Sequence, residues 1–241
     1  MSNAKDISKR LYYFSTFDGY LDNRGEGRNS RLSVTMLKVN SDYIYSVAQA
    51  LEDADIGFKL WEPAINQHDG YNRKQQFRVQ SKAHPKLTTI RNRIYINNSK
   101  VIDPHMLTLM DSEALAIVLM ADGSRKNIRL ANGETSQYRI HTNGFSYGDN
   151  LLLARAIKEK LDIPFDIERQ AVNKWGLTLS RKFNSKFEDT VYKHVLNSFM
   201  YKLGRQAPEK DGDIVCSVQE CTEIPRNEES RIDSRSIRIN N

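Results

Sequence analysis

The sequence predicts an α+β fold of two pseudo-symmetric αββαββα repeats, each with a four-stranded antiparallel sheet that keeps one face polar. Three observations predict it. The first is a short apolar run, Leu115 to Ala121, that stops on Asp122-Gly123. The second is a related run, Leu11 to Phe17, that stops on Asp18-Gly19, so the two acids lie 104 residues apart. Spacing of that kind marks an internal duplication. The third is alternation of polar and apolar residues between the two runs and again after the second, the period of half-buried strands.

The run at 115–121 is apolar on nearly all sides, which marks a buried helix, and it is too short to span a membrane. Asp111 and Ser112 precede it and suit a helix start, where free amides need acceptors. Its end is unusual. A carboxylate at a helix C-terminus faces the negative end of the helix dipole, and the following glycine is the residue that most readily takes a left-handed terminal conformation. Asp122 is thus badly placed for stability and well placed to bind a divalent cation.

The elements follow in order. Ile7, Leu11 and Phe14 give an amphipathic helix that enters the first Asp-Gly pair. A glycine-rich turn (Gly25, Gly27) leads to the strand Arg31 to Met36, with Leu32, Val34 and Met36 on one face and Arg31, Ser33 and Thr35 on the other. Ser41 caps a helix to about Asp53, and Gly57 to Trp61 makes a third strand. From Lys74 to Lys82 the outward set is Lys74, Gln76, Arg78, Gln80 and Lys82, with no acid among them, while Phe77 and Val79 face inward. His84-Pro85 opens a helix bearing Leu87, Ile90 and Ile94. Asn97 to Pro104 is a polar connector without periodicity.

The order then restarts. Ser124 to Leu130 is a strand with Arg125, Lys126 and Arg129, and Gly133 turns the chain into Gln137 to Thr142, where Gln137, Arg139 and His141 face away from Tyr138 and Ile140. A helix over 148–161 precedes a strand at Phe165 and Ile167 and another from Trp175 to Leu179. Phe183, Phe187, Val191, Val195 and Phe199 recur at fours along one last helix. The expected division is a first repeat over 4–96, a linker over 97–106, a second repeat over 107–203 and a polar tail, disordered or loosely docked, over 204–241.

Composition sets the outer bounds. The chain has 241 residues, a hydrophobic fraction of 39% and a net charge of +6 with pI about 9.2, consistent with a polyanionic partner. Its two cysteines, Cys216 and Cys221, are too few for a zinc site and point to a reducing compartment. No apolar run reaches membrane-span length and no signal-peptide core is present, so the expectation is a soluble intracellular protein of the cytoplasm or an organelle matrix.

If the repeats meet through their Asp-Gly helices, Asp18 and Asp122 come together, and Mg²⁺ or Mn²⁺ would relieve their repulsion. Such a metal pair suits phosphodiester hydrolysis. Lys82 and Lys182, at strand ends, are the expected neutralisers of phosphate charge. A polar β-ribbon fits the DNA major groove, where arginine pairs with guanine and glutamine with adenine. The expected DNA face takes Arg24, Arg28, Arg31, Ser33 and Thr35 from the first hairpin, then Lys74, Gln76, Arg78 and Gln80. The second repeat adds Arg125, Lys126 and Arg129, then Gln137, Arg139 and His141, with Lys174 and Thr178. The commoner origin of a one-sided sheet is a face that is simply wet. Against it stands the acid-free set of the Lys74–Lys82 strand.

These residues resemble the LAGLIDADG homing endonucleases in their single-chain, two-repeat form. The carriers are Phe17-Asp18-Gly19, the run Leu115 to Gly123, Val101 to Pro104, His141 to Ser146, and Phe199 to Leu203. The resemblance implies a monomer that cuts a long double-stranded DNA site and leaves a staggered break. It implies Asp18 and Asp122 as metal ligands, with the carbonyls of Phe17 and Ala121 as auxiliaries, basic residues at Lys82 and Lys182, and water-ordering residues near Asn40 and Ser146. The first motif departs from the family by placing Tyr13 and Phe17 where small residues usually let the helices approach. Two other functions suit the same fold: an RNA maturase acting on its own intron, and a DNA-binding regulator that does not cut.

Overall fold

The computed structural model describes residues 4–22, 28–63, 74–130 and 133–205. The first repeat runs α1 (Ala4–Phe17), β1 (Tyr20–Leu21), β2 (Leu32–Leu37), α2 (Ser41–Asp53), β3 (Phe58–Trp61), β4 (Gln76–Ser81) and α3 (Pro85–Ile94). A small hairpin, β5 (Tyr95–Ile96) and β6 (Ser99–Lys100), and the short α4 (Pro104–Thr108) lead to the second repeat. That repeat runs α5 (Ser112–Asp122), β7 (Gly123–Leu130), β8 (Gly133–Ile140), α6 (Tyr147–Leu161), β9 (Phe165–Ala171), β10 (Lys174–Leu179) and α7 (Asn184–Val191). The strands form two four-stranded antiparallel sheets, ordered β1-β2-β4-β3 and β7-β8-β10-β9. The two orders are the same, and the αββαββα repeat is present twice.

Local chemistry explains the boundaries. Asp111 caps α5, its carboxylate accepting from the Ala114 amide at 2.9 Å. His84 caps α3 ahead of Pro85, and Ser146 and Asp149 form a reciprocal capping box on α6. Every residue from Ala114 to Met120 is buried, as a helix apolar on all sides requires.

Helices α1 and α5 lie against each other with their starts together and their ends together. Lys9 is 6% exposed and its ammonium meets Asp111 at 2.6 Å and Glu113 at 2.8 Å. A buried charge that has partners only in one alignment sets the register of the two helices. Tyr13 and Phe17 do not block this approach. The Tyr13 hydroxyl donates to the Met106 carbonyl at 3.1 Å, and the Phe17 ring lies 5.8 Å from that of Phe145, so both aromatics are taken up beside the seam.

Three expectations are corrected. Gly123 has φ −82° and ψ 151°, an extended rather than a left-handed terminus. Its glycine is needed for space, because a Cβ there would stand 2.5 Å from the Leu119 carbonyl oxygen. The same is true of Gly19, where a Cβ would stand 2.8 Å from the Phe14 oxygen. The connector at 97–104 is structured: Asn97 and Asn98 both have positive φ, the two-residue turn that joins β5 to β6. The single last helix is instead a 3-10 turn (Arg181–Phe183), α7, a second 3-10 turn (Tyr192–His194) and a 3-10 segment (Asn197–Leu203). Val195 and Leu196 are extended and break it. Gly204, at φ 68°, ends this segment. Arg24 and the tail from residue 206 onward lie outside the described residues.

Candidate functional site

The paired helices bring Asp18 and Asp122 to one place. Burial is the main cause that pushes the Asp122 carboxyl up to about 7 from an ordinary 3.8, and the charge of Asp18 adds to it. Burial likewise raises Asp18, opposed by a hydrogen bond from Tyr43 and by the charges of Lys202 and Lys100. Nothing in folding itself favours two acids at this point.

Two lysines complete the centre. Lys100, at the end of β6, donates to the carbonyls of Thr16 at 2.9 Å and Gly19 at 2.6 Å. Lys202, in the last 3-10 segment, donates to the carbonyls of Leu119 at 3.1 Å and Met120 at 2.6 Å. Each ammonium therefore caps the end of one seam helix, where unpaired carbonyls and the helix dipole favour a cation. Burial pushes Lys202 down to about 8 and lowers Lys100, while the charges of Asp18 and Asp122 act to raise both.

The lysine segments are tied across the repeats. Asp42, at the start of α2, accepts from the Ser198 amide at 3.0 Å, four residues before Lys202. Asp149, at the start of α6, accepts from the Ile102 amide at 3.0 Å, two residues after Lys100. This explains the broken last helix. Had α7 continued, Lys202 would have been carried about 16 Å along the helix axis instead of turning back to α5.

Lys82 and Lys182 stand elsewhere, which corrects their expected place. The Lys82 amide donates to the Gly57 carbonyl at 2.6 Å, and the exposed side chain lies over Gly57 at the β3–β4 edge. Lys182 is exposed and lines a recess on the second sheet with Gln137, Asp166 and Thr178. The cations acting on the carboxylates are Lys100 and Lys202. Phe17 and Ala121 directly precede the acids, and the carbonyls the lysines take are those of other residues. Ser146 has its hydroxyl committed to Asp149 at 2.6 Å, and Asn40 sits half-buried at the start of α2 without a side-chain cap.

Tyr43, Lys100 and Lys202 were not among the expected site residues. The Asn97-Asn98 pair signals a two-residue hairpin, and Lys100 and Lys202 lie 102 residues apart, close to the 104 that separates the acids. Tyr43 carries no such signal, since a buried aromatic at helical spacing reads simply as core.

The polar faces of the sheets assemble much as the alternation implies. Ser33 lies opposite Gln80 and Thr35 opposite Arg78, with hydrogen bonds of 3.0 and 2.7 Å between the side chains. Arg31 precedes that row, Gln76 continues it exposed, and Arg28 and Lys74 are exposed outside the strands. Arg78 also stacks on Trp61, 5.5 Å from the ring centroid. In the second sheet Lys126 lies opposite Gln137, and Arg139 lies between Ser124 and Thr178. His141 contacts Ser124 at 2.7 Å and Gln170 at 3.2 Å. Lys174 is exposed where the β9–β10 register shifts.

Arg125 is on the other face. Its register partner is the fully buried Tyr138, and its guanidinium lies over Gly204. Arg129, opposite Glu134, shares its parity. A period of two prevents Arg125 and Arg129 from sharing a face with Lys126. The second face also carries acids: Glu168 pairs with Arg139 at 3.2 Å and accepts the Thr178 hydroxyl at 2.5 Å.

The donor set fits Mg²⁺ or Mn²⁺. Among the described residues no group of three or more His, Cys, Asp and Glu gathers, so a full protein cage is lacking. Two carboxylates with water and phosphate oxygens are what such cations ordinarily take. The burial cost carried by Asp18 and Asp122 is the kind that a cation offsets.

Two like-ordered sheets flanking one carboxylate pair define a two-repeat α+β protein with its centre on the seam between repeats. The chain belongs to the LAGLIDADG DNA endonuclease family, which matches residues 17–187. It is similar to the structure described as the homing endonuclease I-WcaI bound to its DNA recognition sequence, at 18% identity and TM-score 0.69, covering 84% of this chain and 88% of that one. It is also similar to full-length DUF199/WhiA from Thermatoga maritima, at 13% identity and TM-score 0.51, covering 89% of this chain and 64% of that one. At these identities the structural matches bear on the fold. No curated protein matches the chain. No helix among the described residues is long and apolar enough to cross a membrane.

Proposed function

We propose that the chain is a site-specific endonuclease for double-stranded DNA that requires Mg²⁺ or Mn²⁺ and leaves a staggered break. One observation carries this reading: two half-buried carboxylates stand together where folding gains nothing from them, each repeat supplies one, and the segment that follows each repeat's last helix supplies a lysine beside them. Family membership and the DNA-bound relative support DNA as the substrate.

Asp18 and Asp122 would hold the cations. A bound divalent cation activates water at neutral pH and stabilises the leaving oxygen of the displaced phosphodiester. Lys100 and Lys202 would place fixed positive charge beside the scissile phosphate without needing to reorganise. The polar rows Ser33–Gln80 and Thr35–Arg78 of the first sheet, and Lys126–Gln137 and Arg139 of the second, would align the duplex across the seam and read it through the major groove. Both halves of the site come from one chain, which supports action as a monomer. A gene that is free-standing or within an intron suits this activity.

The test is a library of randomised duplexes incubated with the protein and Mg²⁺, followed by sequencing of new ends. Recurrent staggered ends at one long site are the expected result. Enriched binding of one site without new ends would replace the nuclease reading with that of a non-cutting regulator. Capture of the intron transcript alone would favour a maturase.

A further inference from the structure

The two halves of the centre differ in one atom group. The Tyr43 hydroxyl donates to the Asp18 carboxylate, while among the described residues no side chain donates to that of Asp122. Tyr43 is fully buried, with its ring 5.2 Å from that of Phe14 and 5.6 Å from that of Phe199. A buried phenol must find an acceptor, and here the acceptor is one of the two acids at the centre.

The difference is written in the sequence. Tyr43 is the third residue of α2, counted from Ser41. Asp149 of α6 holds the Ile102 amide as Asp42 of α2 holds that of Ser198, so the residue matching Tyr43 is Asn150, which is buried and donates to the Phe145 and Ser146 carbonyls. The second repeat therefore has no phenol at the matching position.

Resting on the endonuclease reading above, we infer that Tyr43 makes the two cation centres unequal, so that the strand served by Asp122 is nicked before the strand served by Asp18. A phenol bonded to one oxygen of Asp18 occupies a lone pair and draws charge from the carboxylate, leaving a poorer donor for a cation. Asp122 keeps its oxygens for the metal. Tyr43 acts through Asp18 and is a positioning residue.

The variant Tyr43→Phe removes the hydroxyl and keeps the ring against Phe14 and Phe199. Calorimetric titration of the metal-free protein with Tb³⁺ as the probe gives the first readout. A hydrogen bond to a charged acceptor corresponds to roughly a factor of ten in affinity, so wild type is expected to bind in two steps about tenfold apart. Asp18→Asn should remove the weaker step and Asp122→Asn the tighter one, while Tyr43→Phe should bring the two within about threefold. The second readout is nicking of a supercoiled plasmid bearing the selected site, with Mn²⁺. Wild type should accumulate one nicked intermediate, and Tyr43→Phe should cut both strands at similar rates.

Unchanged steps and unchanged nicking bias in Tyr43→Phe would overturn the inference. So would selective loss of the Asp18 cut, which would make the hydroxyl a necessary support. A protein that binds Tb³⁺ in two unequal steps yet cuts no duplex would leave the inequality standing and sink the endonuclease reading. One that cuts but binds in equal steps would do the reverse.

Discussion

The seam and the sheet faces use the same residue types under opposite conditions. On the second sheet Arg139 and Glu168 are each about a third exposed or more and pair at 3.2 Å, an arrangement that water and salt largely screen. In the seam Asp18, Asp122, Lys100 and Lys202 are half-buried, and burial is the leading cause of every shift there. The faces tolerate exchange because solvent can stand in for any one group. The seam does not, since a removed partner leaves a charge stranded.

Predictions follow that contrast, the largest first. Asp18→Asn or Asp122→Asn should lower double-strand cleavage about 10³-fold or more while leaving DNA binding largely intact, measured by cleavage and by gel shift in Ca²⁺. Retained double-strand cleavage in both would remove them from the centre. Lys100→Met and Lys202→Met should each cost roughly 10²-fold in single-turnover rate, the scale for one fixed electrostatic group. A face change should act on binding instead. Arg78→Ala or Arg139→Ala should weaken binding about tenfold and relax selection at nearby base pairs, as read from the cleaved library. Lys82→Ala and Lys182→Ala should change the cleavage rate by about threefold or less, since both stand away from the carboxylates. A loss there as large as that at Lys100 would erase the distinction drawn between the two places.

What could be read from sequence divides along the same line. The two Asp-Gly helices carry their meaning locally, so Asp18 and Asp122 and the repeated order of elements were found from patterning. The rows Ser33–Gln80 and Thr35–Arg78 followed from alternation. Arg125 and Arg129 fall on the wrong face in the sequence reading because it groups the basic residues of β7 together, and a period of two parts them from Lys126. Lys100 and Lys202 were missed for a different reason. Each reaches the centre by a backbone turn, one made by Asn97 and Asn98 and the other by extended residues at Val195 and Leu196, and each is then held by an acid of the opposite repeat. Side-chain periodicity does not report contacts of that kind. Tyr43 shows the same limit, since its packing is readable and the partner of its hydroxyl is not.

The central claim is that the carboxylate pair serves a cation at a cost to the metal-free fold, and unfolding measured against pH tests it most directly. A carboxyl pushed up to about 7 binds more protons folded than unfolded between roughly pH 4 and 7. Its contribution is thus fully present at low pH and lost as the pH rises through 7. Lys202, lowered to about 8, stays charged over most of that window. Burial also lowers His194, which bends the curve in the opposite sense, so the comparison is made against Asp122→Asn. In the absence of metal, Asp122→Asn should exceed wild type in stability at pH 7.5 by about 1–3 kcal/mol and match it near pH 4.5, and added Mg²⁺ should stabilise wild type alone. Equal stability of the two proteins across the range, with no response to Mg²⁺, would contradict the claim.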